Sequence, residues 1–225
     1  RRLARRKIKE ITARGRLPIL CGGTGLYVQA VTDNFVTPPV SPNPALRARL
    51  DRLSTAALTA RLEKADPEYA ARISANNRRY LIRALEVIEM TGKPYSEQQQ
   101  RGEPEYDVLK LAITRPRELL YQKIDRRVDE QIERGLVKET EKLAKRYGWD
   151  WPALSGLGHR QIGMFLRGEV DLPEAIRLIK RDTHHYARRQ MTWWRRDKGV
   201  KWVSDTTNAV KLTKHFLGKK SPFFG

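Results

Sequence analysis

Apolar residues recur along the chain at two spacings. Ala4, Ile8 and Ile11 fall at i, i+4 and i+7, one face of an amphipathic helix, and Gly15 stands where such a helix would end. Leu17 to Cys21 is a short unbroken apolar run and predicts a buried strand. Gly22-Gly23-Thr24-Gly25 follows as a turn, then Leu26 to Val31 as a helix. Helix, strand, glycine-rich turn and helix are the grammar of an α/β domain with a parallel sheet. Four prolines between Thr37 and Pro44 mark a linker. Helical patterns then cover about 45–63 and 67–91. Asp66-Pro67 reads as an N-cap with proline in the first turn, and Thr91-Gly92-Lys93-Pro94 as a stop. No convincing strand is predicted over 40–105.

Val108 to Thr114 alternates and is rich in β-formers, so it predicts a strand returning to the sheet. Pro116 opens a helix with Leu120, Ile124, Val128 and Ile132 on one face, ended by Gly135. A second helix spans Leu136 to Tyr147 with Gly148 as its cap. A Gly/Trp/Pro-rich loop leads to Gly158, and a short helix over 161–167 is closed by Gly168. Asp171 caps a long helix over about 173–195, and Lys201-Trp202-Val203 predicts a last strand. The domain reading is an α/β core part over 1–39, a small helical insertion over 40–106, a second core part with the long basic helix over 107–213, and a basic tail over 214–225.

Charge sharpens this picture. The 225 residues hold 45 Lys and Arg against 26 Asp and Glu, a formal charge of +19, with a pI near 10.3. That imbalance points to a polyanionic partner, nucleic acid first. An apolar share of 40% suffices for a core, while a mean hydropathy of −0.65 and the lack of a long apolar run exclude a spanning helix. The single cysteine, Cys21, excludes an internal disulfide framework, suits a reducing compartment such as the cytoplasm, and is expected in the core. Eight basic residues crowd Arg1 to Arg16, but no apolar region or cleavage site follows them as in a signal peptide. The chain starts without Met inside a helical pattern, so a further N-terminal part is expected.

Four places could carry chemistry. Gly22, Gly23 and Gly25 around Thr24 would let a phosphate approach a helix N-terminus; the ordinary alternative is a tight turn with Thr24 as N-cap. No Walker A pattern exists anywhere in the chain. Arg127, at the edge of a buried stripe, could aim its donor fork at a diphosphate, or be a solvated helix arginine paired with Asp125 or Asp129. Ser155-Gly156-Leu157-Gly158-His159-Arg160-Gln161 could grip a splayed base or a phosphate, or be a plain glycine-rich loop. On the long helix, Ile176, Ile179, Thr183, Tyr186, Gln190 and Trp194 are expected to face the core. Arg177, Arg181, His184, Arg188 and Arg195 line another face, a single-sign stripe suited to phosphates. His184 and His185 are adjacent and point to different faces, so no metal-ligand spacing appears.

Together these segments resemble a known family. Gly15-Arg16-Leu17-Pro18-Ile19-Leu20-Cys21-Gly22-Gly23-Thr24-Gly25-Leu26-Tyr27 resembles the G-R-x-P-I-x-x-G-G-T-G-L-Y segment of tRNA dimethylallyltransferases, also called tRNA isopentenyltransferases. Asn76 to Val87 resembles the family's N-x-x-R-x-x-R-A-L-E-V stretch. Pro116 to Gly135 resembles R-x-x-L-Y-x-x-I-x-x-R-V-D-x-x-x-x-x-G. Gly158-His159-Arg160-Gln161 resembles G-Y-R-Q, and Tyr186 to Trp193 resembles Y-A-K-R-Q-x-T-W. Five matches in order are far more specific than any one.

The resemblance implies an α/β fold: a P-loop-NTPase-like parallel-sheet core, incomplete at its N-terminus, with an inserted all-helical domain. It implies transfer of dimethylallyl from its diphosphate to N6 of adenosine 37 beside the anticodon, with magnesium supporting the diphosphate, no membrane, and a monomer. By position, Thr24 is the reaction-channel threonine and Arg127 the diphosphate arginine, with Gly22, Gly23 and Gly25 at the diphosphate. Arg79, Tyr80, Leu81, Ile82 and Arg83 match a tRNA-contacting stretch, and Ser155, Gly156, Leu157, Gly158, His159 and Arg160 match the segment gripping the extruded base. Arg181, Arg188 and Arg189 are the tRNA-binding candidates of the long helix. Tyr80 replaces a usual arginine and His159 a usual tyrosine. The family's Walker-A-like loop and its general-base aspartate, with the magnesium ligands, are not among these residues, so the chain alone is expected to be inactive. A non-catalytic tRNA-binding fragment and a P-loop nucleotide kinase relative are the alternative readings.

Overall fold

The computed structural model describes residues 1–36, 38, 40–98 and 100–218, and divides between Val108 and Leu109 into two units. The first contains α1 (Arg2–Thr12), α2 (Gly25–Thr32), β1 (Phe35–Val36), α3 (Pro44–Asp51), α4 (Thr55–Ala65), α5 (Pro67–Arg72), α6 (Arg78–Thr91), α7 (Tyr95–Gln98) and β2 (Gln100–Arg101). Part of the proline-rich linker, Thr37 and Pro39, lies outside the described residues, as do the last seven residues of the expected tail.

Short polar side chains set the helix starts here. Asn43, Ser54 and Asp66 accept hydrogen bonds from the amides of Leu46, Ala57 and Tyr69 at 3.1, 3.1 and 3.0 Å. These caps break the two long helical patterns into four helices, because Ser54 starts α4 afresh and residues 73–77 separate α5 from α6. Glycine supplies an end: Gly15, at φ +66°, donates to Thr12 while Arg16 donates to Ile11, which closes α1 in a Schellman turn. Leu46, Leu50, Leu58, Leu62, Leu81, Leu85 and Val87 form the core of α3–α7, together with Tyr69 and Tyr95. Asp66 also accepts from the amide and hydroxyl of Ser96, at 2.7 and 2.8 Å, which ties α7 to the start of α5.

Two expectations fail in this unit. Leu17 to Cys21 form no strand: no strand lies beside them among the described residues, so Leu17, Ile19, Leu20 and Cys21 stay exposed, Ile19 at 82%. Cys21 is therefore not a core residue here. In the stretch predicted to hold no strand, β2 pairs antiparallel with β1, two residues each.

A buried carboxylate sits inside the helical core. Glu86, with no exposure, accepts from Arg47 through two bonds of 2.8 and 2.9 Å, from Arg83 at 2.6 Å and from the Asn43 amide at 2.7 Å. Burial alone would raise its pKa; the bonds from Arg47, Asn43 and Arg83 outweigh it and hold the group at about 2.

The second unit contains β3 (Lys110–Ile113), α8 (Arg117–Glu133), α9 (Leu136–Tyr147), a 3-10 turn at Pro152–Ser155, α10 (His159–Leu166), α11 (Leu172–Arg195), β4 (Val200–Val203) and α12 (Thr206–Gly218). β3 and β4 pair in parallel, Lys110 opposite Val200 through Ile113 opposite Val203. The parallel sheet is thus small and the architecture mostly helical. Both strands lie within a residue or two of the predicted ones at most ends, β3 being trimmed to four residues. Val128, Ile162, Ala175 and Ile179 form the core, where α8, α10 and α11 meet. Lys110 and Asp197, both mostly buried, pair at 2.8 Å and fasten β3 to the turn before β4. Where a basic tail was expected from residue 214, α12 continues to Gly218, with Leu212, Phe216 and Leu217 half-buried.

Glu86→Ala is expected to destabilise the chain by about 2–3 kcal/mol, since it strands two arginines that can partly return to water. The depressed pKa makes the contribution complete above the ordinary carboxyl range, near pH 4.3, and lost as pH falls through about 2. Urea unfolding should therefore show the gap between wild type and Glu86→Gln closing over that interval.

Candidate functional site

In the first unit, the glycine-rich turn leads directly into α2. Thr24 is its N-cap by position, at φ −80° and ψ 94°, and its carbonyl accepts from the amides of Tyr27 and Val28 at 3.0 and 3.2 Å. The hydroxyl makes no capping bond and the residue is exposed, which leaves the hydroxyl available to a ligand. None of Gly22, Gly23 and Gly25 has a positive φ, and a Cβ on Gly22 would meet open space.

On α6 the helical period divides the predicted tRNA-contacting run. Arg79 and Tyr80 are exposed. Leu81 is 1% exposed, so its side chain holds the helix rather than contacts a ligand, a correction to the sequence reading, while Ile82 packs on the same core and keeps an edge at the surface. Arg83 is bound to Glu86 and to the Val40 carbonyl. Beside them lies a groove of about 700 Å³ lined by Arg47, Ala48, Asp51, Arg78, Arg79, Ile82 and Arg83. Arg78 pairs with Asp51 at 3.1 Å, whereas Arg79 has no ion-pair partner among the described residues. The sequence reading missed Arg47 and Arg78, whose partners lie 39 and 27 residues away, beyond any local spacing.

In the second unit, α8 presents Arg127 exposed and without an ion-pair partner among the described residues. The two acidic residues beside it in sequence turn to α11: Asp125 Oδ1 lies 2.8 Å from His184 Nε2, and Asp129 lies 2.7 Å from Lys180 Nζ. Residues two apart on a helix do not face each other, so neither was placed to neutralise Arg127. Glu130, one turn on, lies 3.9 Å from Arg126 and 3.6 Å from Arg134.

The loop before α10 is built around one carboxylate. Asp182 on α11 accepts from Arg160 at 2.6 Å, Gln161 Nε2 at 2.8 Å and Arg181 at 2.9 Å. Burial pushes the Asp182 carboxyl up, but those bonds and the charges of Arg181 and Arg160 hold it below its ordinary range. Gln161, fully buried, uses its other end to accept from the Gly158 amide at 3.1 Å. Gly158 sits at φ +92°, where an L side chain is strained, and a Cβ there would meet Leu136 at 3.4 Å. Ser155 donates to the Pro152 carbonyl at 2.7 Å, Leu157 is 41% exposed, and His159 Nδ1 lies 2.8 Å from the Thr140 hydroxyl.

Along α11 the cationic stripe is partly spent. Glu174 holds Arg177, Asp182 holds Arg181, and Arg188 and Arg189 remain exposed, with the Arg189 guanidinium 5.7 Å from the Tyr186 ring centre. Two faces were misassigned from sequence. Tyr186 is exposed and Trp194 only half-buried, and the buried residues of α11, Ala175, Leu178 and Ile179, all lie in its N-terminal half. His184 leaves the cationic face, its ring stacked 3.9 Å from that of Tyr121. The sequence also gave no sign that Tyr147 stacks on Trp151 at 4.4 Å, or that Arg167 covers Trp149 at 4.9 Å. No three His, Cys, Asp or Glu side chains cluster among the described residues so as to hold a metal ion together. Among the described residues no helix is long and apolar enough to cross a membrane.

Residues 1–197 match the family model described as IPP transferase. The chain belongs to the IPP transferase family. It is 49% identical over 208 residues to a tRNA dimethylallyltransferase of Thermomicrobium roseum, covering 90% of this chain and 63% of that protein. The crystal structure of the full-length tRNA isopentenylpyrophosphate transferase of Bacillus halodurans superposes with a TM-score of 0.63 at 37% identity, over 97% of this chain and 71% of the other. A eukaryotic dimethylallyltransferase acting on tRNA shares the fold, with a TM-score of 0.74 at 24% identity over 96% of this chain and 61% of that one. This IPP transferase chain spans 63–72% of the length of curated relatives it matches, 63% in the case of the Thermomicrobium roseum protein.

Gly158→Ala is expected to cost at least about 1 kcal/mol, because the backbone there is left-handed. Urea unfolding measures the loss, and the Gly158 amide should lose its protection from hydrogen exchange as Gln161 lets go.

Proposed function

We propose that this chain supplies tRNA-binding and diphosphate-binding surfaces of an enzyme that moves a dimethylallyl group from its diphosphate to N6 of adenosine 37, giving N6-isopentenyladenosine. The family match over residues 1–197, with curated relatives named tRNA dimethylallyltransferase, carries the reading. The +19 charge supports it, as do Arg79, Arg127 and Arg188, exposed and without an ion-pair partner among the described residues. A P-loop-like parallel-sheet core with the helices α3–α7 as an insertion belongs to the same proposal, as does a soluble monomer in the cytoplasm.

The chemistry divides among the candidates. N6 is a weak nucleophile, so a base must take its proton as the C–N bond forms. Diphosphate leaves with growing negative charge, which guanidinium and amide donors stabilise. Arg127 is the diphosphate donor, and the Thr24 hydroxyl, with Gly22, Gly23 and Gly25, lines the channel. Everting the adenine brings N6 to the allylic carbon. Residues 155–160 grip that base, and Arg79, Tyr80, Arg83, Arg181, Arg188 and Arg189 meet the RNA backbone. The general base is not among these residues, so the proposal holds that the 225-residue chain alone does not turn over; normal transfer in a radiolabelled assay would refute that part.

Binding of an anticodon stem-loop should weaken at least about tenfold between 50 and 200 mM salt, as counterions are released from several phosphate contacts. A salt-independent affinity, or none, would end the tRNA reading. Arg127→Ala should weaken dimethylallyl diphosphate binding about tenfold by calorimetry, the loss of a charge-assisted bond, while RNA affinity stays within about twofold. Equal loss of both removes Arg127 from the diphosphate role.

A further inference from the structure

Thr140 and His159 fix where the histidine proton sits. Thr140 is fully buried on α9; its hydroxyl oxygen lies 2.8 Å from the Leu136 carbonyl oxygen and 2.8 Å from His159 Nδ1. A hydroxyl has one proton to give. Both contacts are hydrogen bonds at once only when Thr140 donates to Leu136 and accepts from a protonated Nδ1. The neutral ring then carries a bare lone pair on Nε2. The Glu139 carboxylate lies 3.9 Å from that atom, beyond hydrogen-bond reach and with 62% of its side chain in water. The His159 side chain, at the first position of α10 after the N-cap Gly158, keeps 22% of its surface open.

We infer that His159 is a specificity-determining residue whose Nε2 accepts a hydrogen bond from the exocyclic amine of an adenine in the anticodon loop. The inference rests on the reading that residues 155–160 receive a base. Arg160 beside it, and the arginines of α11, only donate. Donors alone bind phosphates, carbonyls and ring nitrogens. A fixed acceptor adds what they lack: it welcomes the amine of adenine and meets the O6 of guanine lone pair to lone pair. A phenol, as in the family's G-Y-R-Q pattern, can turn to donate or accept, whereas the imidazole held by Thr140, in its neutral form, offers only its lone pair.

The test uses the full 225-residue chain and an anticodon stem-loop whose loop adenosines are replaced, one at a time, by purine riboside, which lacks the amine, or by guanosine. At one position wild type should lose about tenfold in affinity with either replacement. His159→Phe and Thr140→Val should erase that difference, and Thr140→Ser should keep it. Ring nitrogen-15 spectra of the wild type should show His159 protonated on Nδ1, a readout that needs no variant to fold. A proton on Nε2, or discrimination that survives in His159→Phe, overturns the inference. RNA that binds with no loop position sensitive to His159 overturns it while leaving the proposed function standing. A chain that binds no stem-loop overturns both.

Discussion

A chain with 45 basic and 26 acidic side chains cannot neutralise itself, so the placing of its carboxylates decides which cations stay open. Glu86 draws two arginines onto the helical core of the first unit, and Asp182 draws two onto α11 and the loop before α10. Both carboxylates are largely or wholly removed from water, where an unpaired charge would be costly. Their guanidinium partners are therefore fixed in direction. Other arginines, among them Arg79 on α6, Arg127 on α8 and Arg188 on α11, stand at the surface with no carboxylate partner among the described residues. The cationic surface is thus sorted into held and available groups.

The held groups shape what the available ones meet. Arg47, Arg78 and Arg83 form a groove wall whose positions are set by Glu86 and Asp51, and Arg79 stands on it. In the second unit Asp182 places Arg160 and, through Gln161, the backbone of Gly158, so the base-gripping loop inherits its shape from α11.

Local signals were readable from the chain. Asp66 and Asp171 cap their helices as their spacing to the first turn demands, and Gly92, Gly135, Gly148 and Gly168 carry the positive φ that ends or starts a helix. Five ordered motifs identified the family without any geometry. What depends on a distant partner was not readable. Whether the apolar run 17–21 is covered depends on a neighbouring strand, not on the run itself. The period of α11 correctly buries Ile179 but cannot tell that Tyr186 stays exposed, nor that Tyr121 waits for His184. The pairing of Arg47 with Glu86 spans 39 residues and leaves no local trace.

Asp182 makes anion capture at this loop a competition as well as an addition. A guanidinium has five N–H groups, so Arg160 and Arg181 keep some free while others hold a carboxylate 2.6 to 2.9 Å away. A phosphate that took the held groups as well would have to be the better ligand, which favours a backbone that presents several anions at once. Such a swap would slacken the tether running through Gln161 to Gly158. Arrival of the polymer and release of the loop's resting shape would then be one event.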